Sequence, residues 1–380
     1  MSILLVGLGA AIILIVLGDA FETIVLPRRV TRPISLARLF YQYTWLSWSV
    51  AVRSIYSGKR QETYLSFYGP LSLLLLLILW ATGLIIGFAL LLWASGSAIK
   101  TPEGTATFSS YLYLSGTSFF TLGLGDVIPN SPLGRGLIAF EAGMGFGFLA
   151  LVIGYLPVLS QSFSRREVNI SLLDARAGSP PTAAEMLRRH SHGRGLEDLQ
   201  KLFHEWERWS ADLLESHLSY PVLAYFRSHH DNQSWLGALT AILDASAFAI
   251  VSLEGPCERQ AQLTFAITRH AIVDLAQLFN CPPHKPKHDR LPLDELSRIR
   301  TTLTEAGLKL REGNIVDQKL SELRRMYEPY IYSLSNYLKI AIPPWVPKAG
   351  HIDNWRTSAW GRSKGFQIDD LLGEGHDEHF

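Results

Sequence analysis

The chain has 380 residues, 48% of them hydrophobic, and 35 Lys and Arg against 34 Asp and Glu leave a formal net charge of +1. That length allows two domains, and so even a balance gives no ground for a nucleic-acid partner. Two cysteines, Cys257 and Cys281, stand in no CxxC or Cys/His metal spacing; they read as reduced cytoplasmic thiols rather than a disulfide.

Polarity divides the chain. Residues 1–160 are dominated by apolar runs, and residues 163–380 read as an ordinary soluble protein. The first run, within residues 1–26, has no Lys or Arg before Arg28. A cleaved signal peptide would want a basic start, so an uncleaved span is predicted. Residues 27–69 form a basic loop with Arg28, Arg29, Arg32, Arg38, Arg53, Lys59 and Arg60. Its aromatic-rich stretch Leu39–Tyr56 predicts an interfacial helix lying on the membrane surface. Leu71–Trp93 is free of charge, and at about 1.5 Å per residue it covers roughly 34 Å, enough for a bilayer core. A third span falls within Leu133–Leu159. Arg165 and Arg166 follow it, whereas the loop after Trp93 carries only Lys100 and Glu103 before Asp126. The positive-inside rule then puts the N-terminus outside and the polar half inside.

Between the second and third spans, "YLYLSGTSFF" (111–120) predicts a helix too short to cross, and "TLGLGD" (121–126) follows at once. Irregular backbone at membrane depth is tolerated only where protein or water covers it. The short helix would aim its negative end at the membrane centre, a favourable place for a cation. Gly123 and Gly125 adopt positive φ at little cost, so alternating handedness could turn successive carbonyls to one side. Thr121, Leu122, Gly123 and Leu124 would supply oxygens, with the Thr121 hydroxyl below. One chain gives one column, and four chains around an axis give rings able to replace an ion's hydration shell.

The hexapeptide resembles the T-x-G-Y-G-D filter signature of tetrameric prokaryotic potassium channels. Pro129, Gly134, Arg135 and Gly145 also fall where simple two-span members carry proline, Gly-Arg and a hinge glycine. The resemblance covers roughly 70–160. It implies an outer helix, pore helix, filter and inner helix, a homotetramer in lipid, and K+ as permeant ion with no cofactor. A bacterial plasma membrane is the implied location. The family's central filter aromatic is Leu124 here, so bracing by apolar packing is expected, and a weakly selective monovalent cation channel is the alternative. A potassium transporter would carry four such loops; one is found.

The glycines at 143, 145 and 147 have two readings, close helix packing and a gating bend; the bend is favoured for Gly145. Pro157 lacks an N–H and should kink its helix, and Tyr155, Pro157 and Val158 are the expected inner gate. Thr117 and Glu141 are expected to support the pore, with Arg135 an alternative partner for Glu141. Asp19 and Glu22 are expected to meet Arg28 or Arg29.

The polar half predicts helices over Glu197–Leu218, Ser234–Leu253, Arg259–Phe279, Leu293–Arg311 and Gln318–Ile340. Trp235–Ser252 is nearly apolar, and Asp244 at its centre favours a buried bundle helix over a fourth span. No GxGxxG follows a strand, which argues against a nucleotide-binding regulatory domain. The twelve histidines form no metal motif; they read as solvated or capping groups, with proton sensing the sharper idea. His270 with Asp274 is the best candidate for a tethered helical enzyme, but no nucleophile or metal set accompanies it. The expected architecture is an all-α membrane protein: 1–26 N-terminal span, 27–69 loop, 70–160 pore module, 161–345 cytoplasmic helical domain that binds an unnamed ligand, and 346–380 flexible tail.

Overall fold

A computed structural model describes residues 2–26 and 35–347, except 103, 192–194, 231 and 287. Arg28, Arg29 and Arg32, and the expected tail from residue 348 onward, lie outside the described residues. The protein is all-α, and the chain divides into two compact units after Gln161.

In the first unit, helix α1 (Ser2–Ala20) runs into a π-helical turn, Phe21–Val25, and packs along α4 (Tyr68–Ala94). Small residues set that packing. A Cβ at Gly9 would stand 2.8 Å from the Gly87 carbonyl oxygen, and one at Gly87 would stand 2.6 Å from Ile13. In a lipid-facing pair this close approach replaces the hydrophobic drive that water would supply. Helix α2 (Leu36–Ile55) buries Ala37, Trp45 and Val52 and leaves Tyr43, Leu46 and Val50 exposed, the two-sided pattern a surface-lying helix needs. A short α3 (Gly58–Ser66) follows.

Asp19 explains how α2 is held. It is buried and accepts hydrogen bonds from the Ala37 amide (3.0 Å), the Ser35 hydroxyl (2.9 Å) and the Trp80 indole (2.9 Å). One carboxylate thus caps the positive end of α2 and links it to α1 and α4. The expected partners Arg28 and Arg29 lie outside the described residues.

A two-stranded ribbon, β1 (Ile99–Lys100) with β2 (Ile128–Pro129), joins the two sides of the loop region around α5 (Phe108–Phe119). Helix α5 starts three residues before the predicted 111 because the Ser110 hydroxyl accepts from the Thr107 amide, 3.3 Å. The third long helix, α6, covers Pro132–Ala177 and passes through Pro157. It continues well past the predicted end near Leu159, and at Gly178 the chain turns to φ 80°.

In the second unit the end of α6 is followed by α7 (Ala183–Arg189), α8 (Gly195–Ser219), a 3-10 turn Pro221–Tyr225, α9 (Trp235–Ser252) and α10 (Glu258–Leu278). Then come α11 (Leu293–Glu305), α12 (Asn314–Arg325) and α13 (Glu328–Leu338). The helix predicted over Gln318–Ile340 is therefore two helices. The buried Tyr327 and Pro329 in the first turn of α13 mark the break. Helix α9 is the centre of the unit, with α7, α8, α10, α12 and α13 around it; every residue but Ile250 is buried. Its Asp244 accepts two hydrogen bonds from Arg290 (2.7 and 3.2 Å) and one from the Tyr327 hydroxyl (2.6 Å). Enclosed in this way, α9 has no side left for lipid.

Candidate pore and filter

The pore region lies wholly in the first unit, and α4, α5 and α6 position it. The Ser115 hydroxyl of α5 lies 2.8 Å from the Ile85 carbonyl oxygen of α4 and hydrogen-bonds Glu141 of α6. One hydroxyl proton cannot satisfy both acceptors, so the group works as a three-helix junction. Glu141 is fully buried, and its other oxygen has no hydrogen-bond partner. The alternative partner, Arg135, instead donates to the Pro129 carbonyl at 3.2 Å.

Helix α5 ends by handing its carbonyls to the next segment. The Thr117 carbonyl accepts from the Leu122 amide (2.8 Å) and the Gly123 amide (3.3 Å), and the Ser118 carbonyl accepts from Thr121 (2.9 Å). The Thr117 hydroxyl donates to Leu114, 3.0 Å. In the segment itself φ is +56° at Thr121, +54° at Gly123 and +79° at Gly125. Every second residue is left-handed, which glycine accepts freely and threonine only at a cost of about 1–2 kcal/mol. All six residues from Thr121 to Asp126 are exposed on the single chain. The segment is thus shaped and anchored from behind, with its front uncovered.

Behind the far end, the Tyr113 hydroxyl donates to Asp126 at 2.9 Å. Bracing at this site is therefore partly polar, where the missing aromatic at Leu124 led to an expectation of apolar packing. The Leu124 side chain is 64% exposed. The spacing of Tyr113 and Asp126 gave no sign of the contact, since their meeting depends on how the segment folds back along α5.

Gly145 of α6 sits directly against α5. A Cβ there would lie 1.8 Å from the Phe119 carbonyl oxygen and 2.7 Å from its carbon. Close packing alone accounts for this glycine. By contrast, a Cβ at Gly143 or Gly147 would meet open space. Lower on α6, Tyr155 is buried. Pro157 and Val158 are exposed on the same helix. So the three expected gate residues do not share one environment: Tyr155 faces the protein and the other two do not.

Away from the pore, His270 approaches Asp274 at 3.8 Å along α10. Among the described residues, no group of three or more His, Cys, Asp or Glu side chains converges on a metal-sized site. Cys257 and Cys281 are free and buried, and burial raises both thiols, Cys281 to about 11.

The family model described as "Ion channel" (Ion_trans_2) matches residues 74–159, from within α4 through α5 and the glycine segment into α6. The uncharacterized membrane protein YdjJ of Bacillus subtilis (strain 168) is 28% identical over 240 residues, covering 62% of this chain and 69% of the relative. No solved structure matches significantly. Among the described residues, Ile3–Val25, Gly58–Ala94 and Pro132–Ala177 are long and apolar enough to cross a membrane, as by composition is the enclosed Trp235–Ser252. The chain is an integral membrane protein with an ion channel domain.

Proposed function

We propose that the chain is one subunit of a homotetrameric potassium channel whose filter is Thr121–Asp126. The observation that carries this reading is the alternation of left-handed residues at Thr121, Gly123 and Gly125, with the amides of Thr121, Leu122 and Gly123 tied back to Ser118 and Thr117. Amides held behind leave oxygens for the front. Four copies would line one axis with rings of oxygen from Thr121, Leu122, Gly123 and Leu124, replacing the water around K+ as it enters. The bareness of the segment in one chain supports assembly, since a column with nothing across from it holds no ion. Thr117 and Glu141 support the filter from α5 and α6, and Pro157 and Val158 line the inner mouth. The second unit is cytoplasmic in this reading, with the N-terminus outside and the membrane a bacterial plasma membrane. It biases opening through the end of α6 when a ligand binds it.

Reconstituted protein under K+ outside and Na+ inside tests the proposal. A reversal potential set by K+, with block by Ba2+, is the expected outcome. Equal permeability would favour the second reading, a weakly selective cation pore, for which the ringless Leu124 is the specific observation. No cation current at all sinks both.

A further inference from the structure

The part of α6 beyond the apolar span carries a second unused face. In the second unit one side of the helix is committed to its own chain: Arg166, Ile170 and Leu173 are nearly fully buried. Arg166 donates to the carbonyls of Leu223 (2.8 Å) and Phe226 (2.9 Å) and to Glu167. The other side is bare. Val168 and Leu172 are 58% and 55% exposed, on a segment outside the hydrophobic span where no lipid would cover them.

The bare positions recur with a period. Val158, Gln161, Arg165, Val168 and Leu172 follow one another at spacings of three, four, three and four. That is a 3.5-residue repeat, the spacing that keeps one stripe facing a parallel partner in a left-handed supercoil. At about 100° per residue Val168 and Leu172 lie roughly 100–160° around the helix from the buried Ile170 and Leu173, so both faces can be used at once. Arg165 interrupts the stripe with charge, and Asp212 of the same chain stands 4.0 Å away to offset it. Such a polar position fixes register at some cost in stability.

We infer that α6 continues beyond the membrane as a parallel helical bundle, its seam running from Val158 to Leu172, and that the occupant of the bare face is the same face of further copies of this chain. The inference rests on the fourfold pore proposed above, which already sets α6 helices side by side around one axis; the stripe is continuous with that arrangement. In a parallel seam identical residues face each other, with helix axes about 8–10 Å apart.

The test is oxidative cross-linking of the purified full chain in detergent, with the mass of the complex measured alongside. Wild-type protein is the background, since both native thiols are buried. Val168→Cys and Leu172→Cys are compared with Ser297→Cys on the exposed side of α11. A parallel register predicts covalent dimer at 168 and 172 in roughly tenfold excess over wild type and over the 297 variant. A fourfold mass without cross-links at 168 and 172 overturns the seam and leaves the pore intact. A monomeric mass overturns the seam together with the fourfold pore. Equal cross-linking at 297 reveals chance collision and also overturns the seam.

Discussion

Helices α6 and α9 are both apolar enough to cross a membrane, yet they are housed in opposite ways. The apolar window of α6 is 11% buried within the chain, and that of α9 is 94% buried. The difference lies in the polar partners each unit supplies. Around α9, five helices close the shell, and the one acid in its middle meets an arginine and a tyrosine. Around the apolar window of α6, one side rests on α4 and α5 and most of the rest is open. Apolarity alone therefore does not say where a helix goes. The apolar window of α6 leaves most of its surface outside its own chain, whereas α9 is enclosed by its own unit.

The sharpest way to break the first unit is Gly145→Ala. The added methyl would overlap a backbone carbonyl, which no rotamer change relieves. The expected outcome is loss of nearly all assembled channel, seen as a collapse of the complex peak in size-exclusion chromatography and of flux. A glycine kept only for bending would leave assembly intact, so a normal peak with altered gating would count against packing. The second unit should break at Asp244→Ala. Arg290, 7% exposed at its side chain, would be left buried without its main partner, at a cost of about 3–5 kcal/mol. Denaturant unfolding of the full chain should show this loss, with a double change to apolar residues at both positions recovering much of it.

A smaller effect separates the units by pH. Burial, with Arg166 beside it as the second cause, lowers the His217 imidazole from 6.5 to about 3. The unfolded chain takes up that proton first as pH falls. Stability from this group is therefore full above pH 6.5 and is lost as pH drops toward 3, about 2 kcal/mol by pH 5. Unfolding midpoints of the second unit at pH 7 and pH 5 should differ accordingly, and His217→Gln should flatten the difference. The smallest effect belongs to Tyr113→Phe, which removes the hydrogen bond to Asp126 and with it about 0.5–1.5 kcal/mol. Single-channel recordings should show shorter open times with an unchanged reversal potential; unchanged open times would deny Tyr113 a bracing role.

The glycine segment and its short helix were legible because they break a rule: turn residues stood where only apolar helix was expected. Helix α2 was legible from its aromatic stretch, within three residues at its start. What stayed hidden depends on contacts between distant parts of the chain. Asp244 could be read as buried, but nothing near it in sequence pointed to Arg290. Asp19 meets an amide, a hydroxyl and an indole, and its link to Trp80 on α4 had no signal in the sequence around it. The continuation of α6 to Ala177 was missed because residues 160–177 mix charge with apolar groups, and a helix with two working faces shows no simple stripe. The break at Tyr327 was announced by Pro329, though a first-turn proline reads equally as a kink inside one helix.

In the pore proposed above, the anchoring of the segment after α5 also bears on which sign of charge can pass. Thr121, Leu122 and Gly123 have spent their amide hydrogens on Thr117 and Ser118. An anion arriving there would find none of these three donors free to greet it, and a chloride stripped of water needs donors as much as a cation needs oxygens. Before any question of ionic radius arises, three spent amides have already made this stretch inhospitable to negative ions.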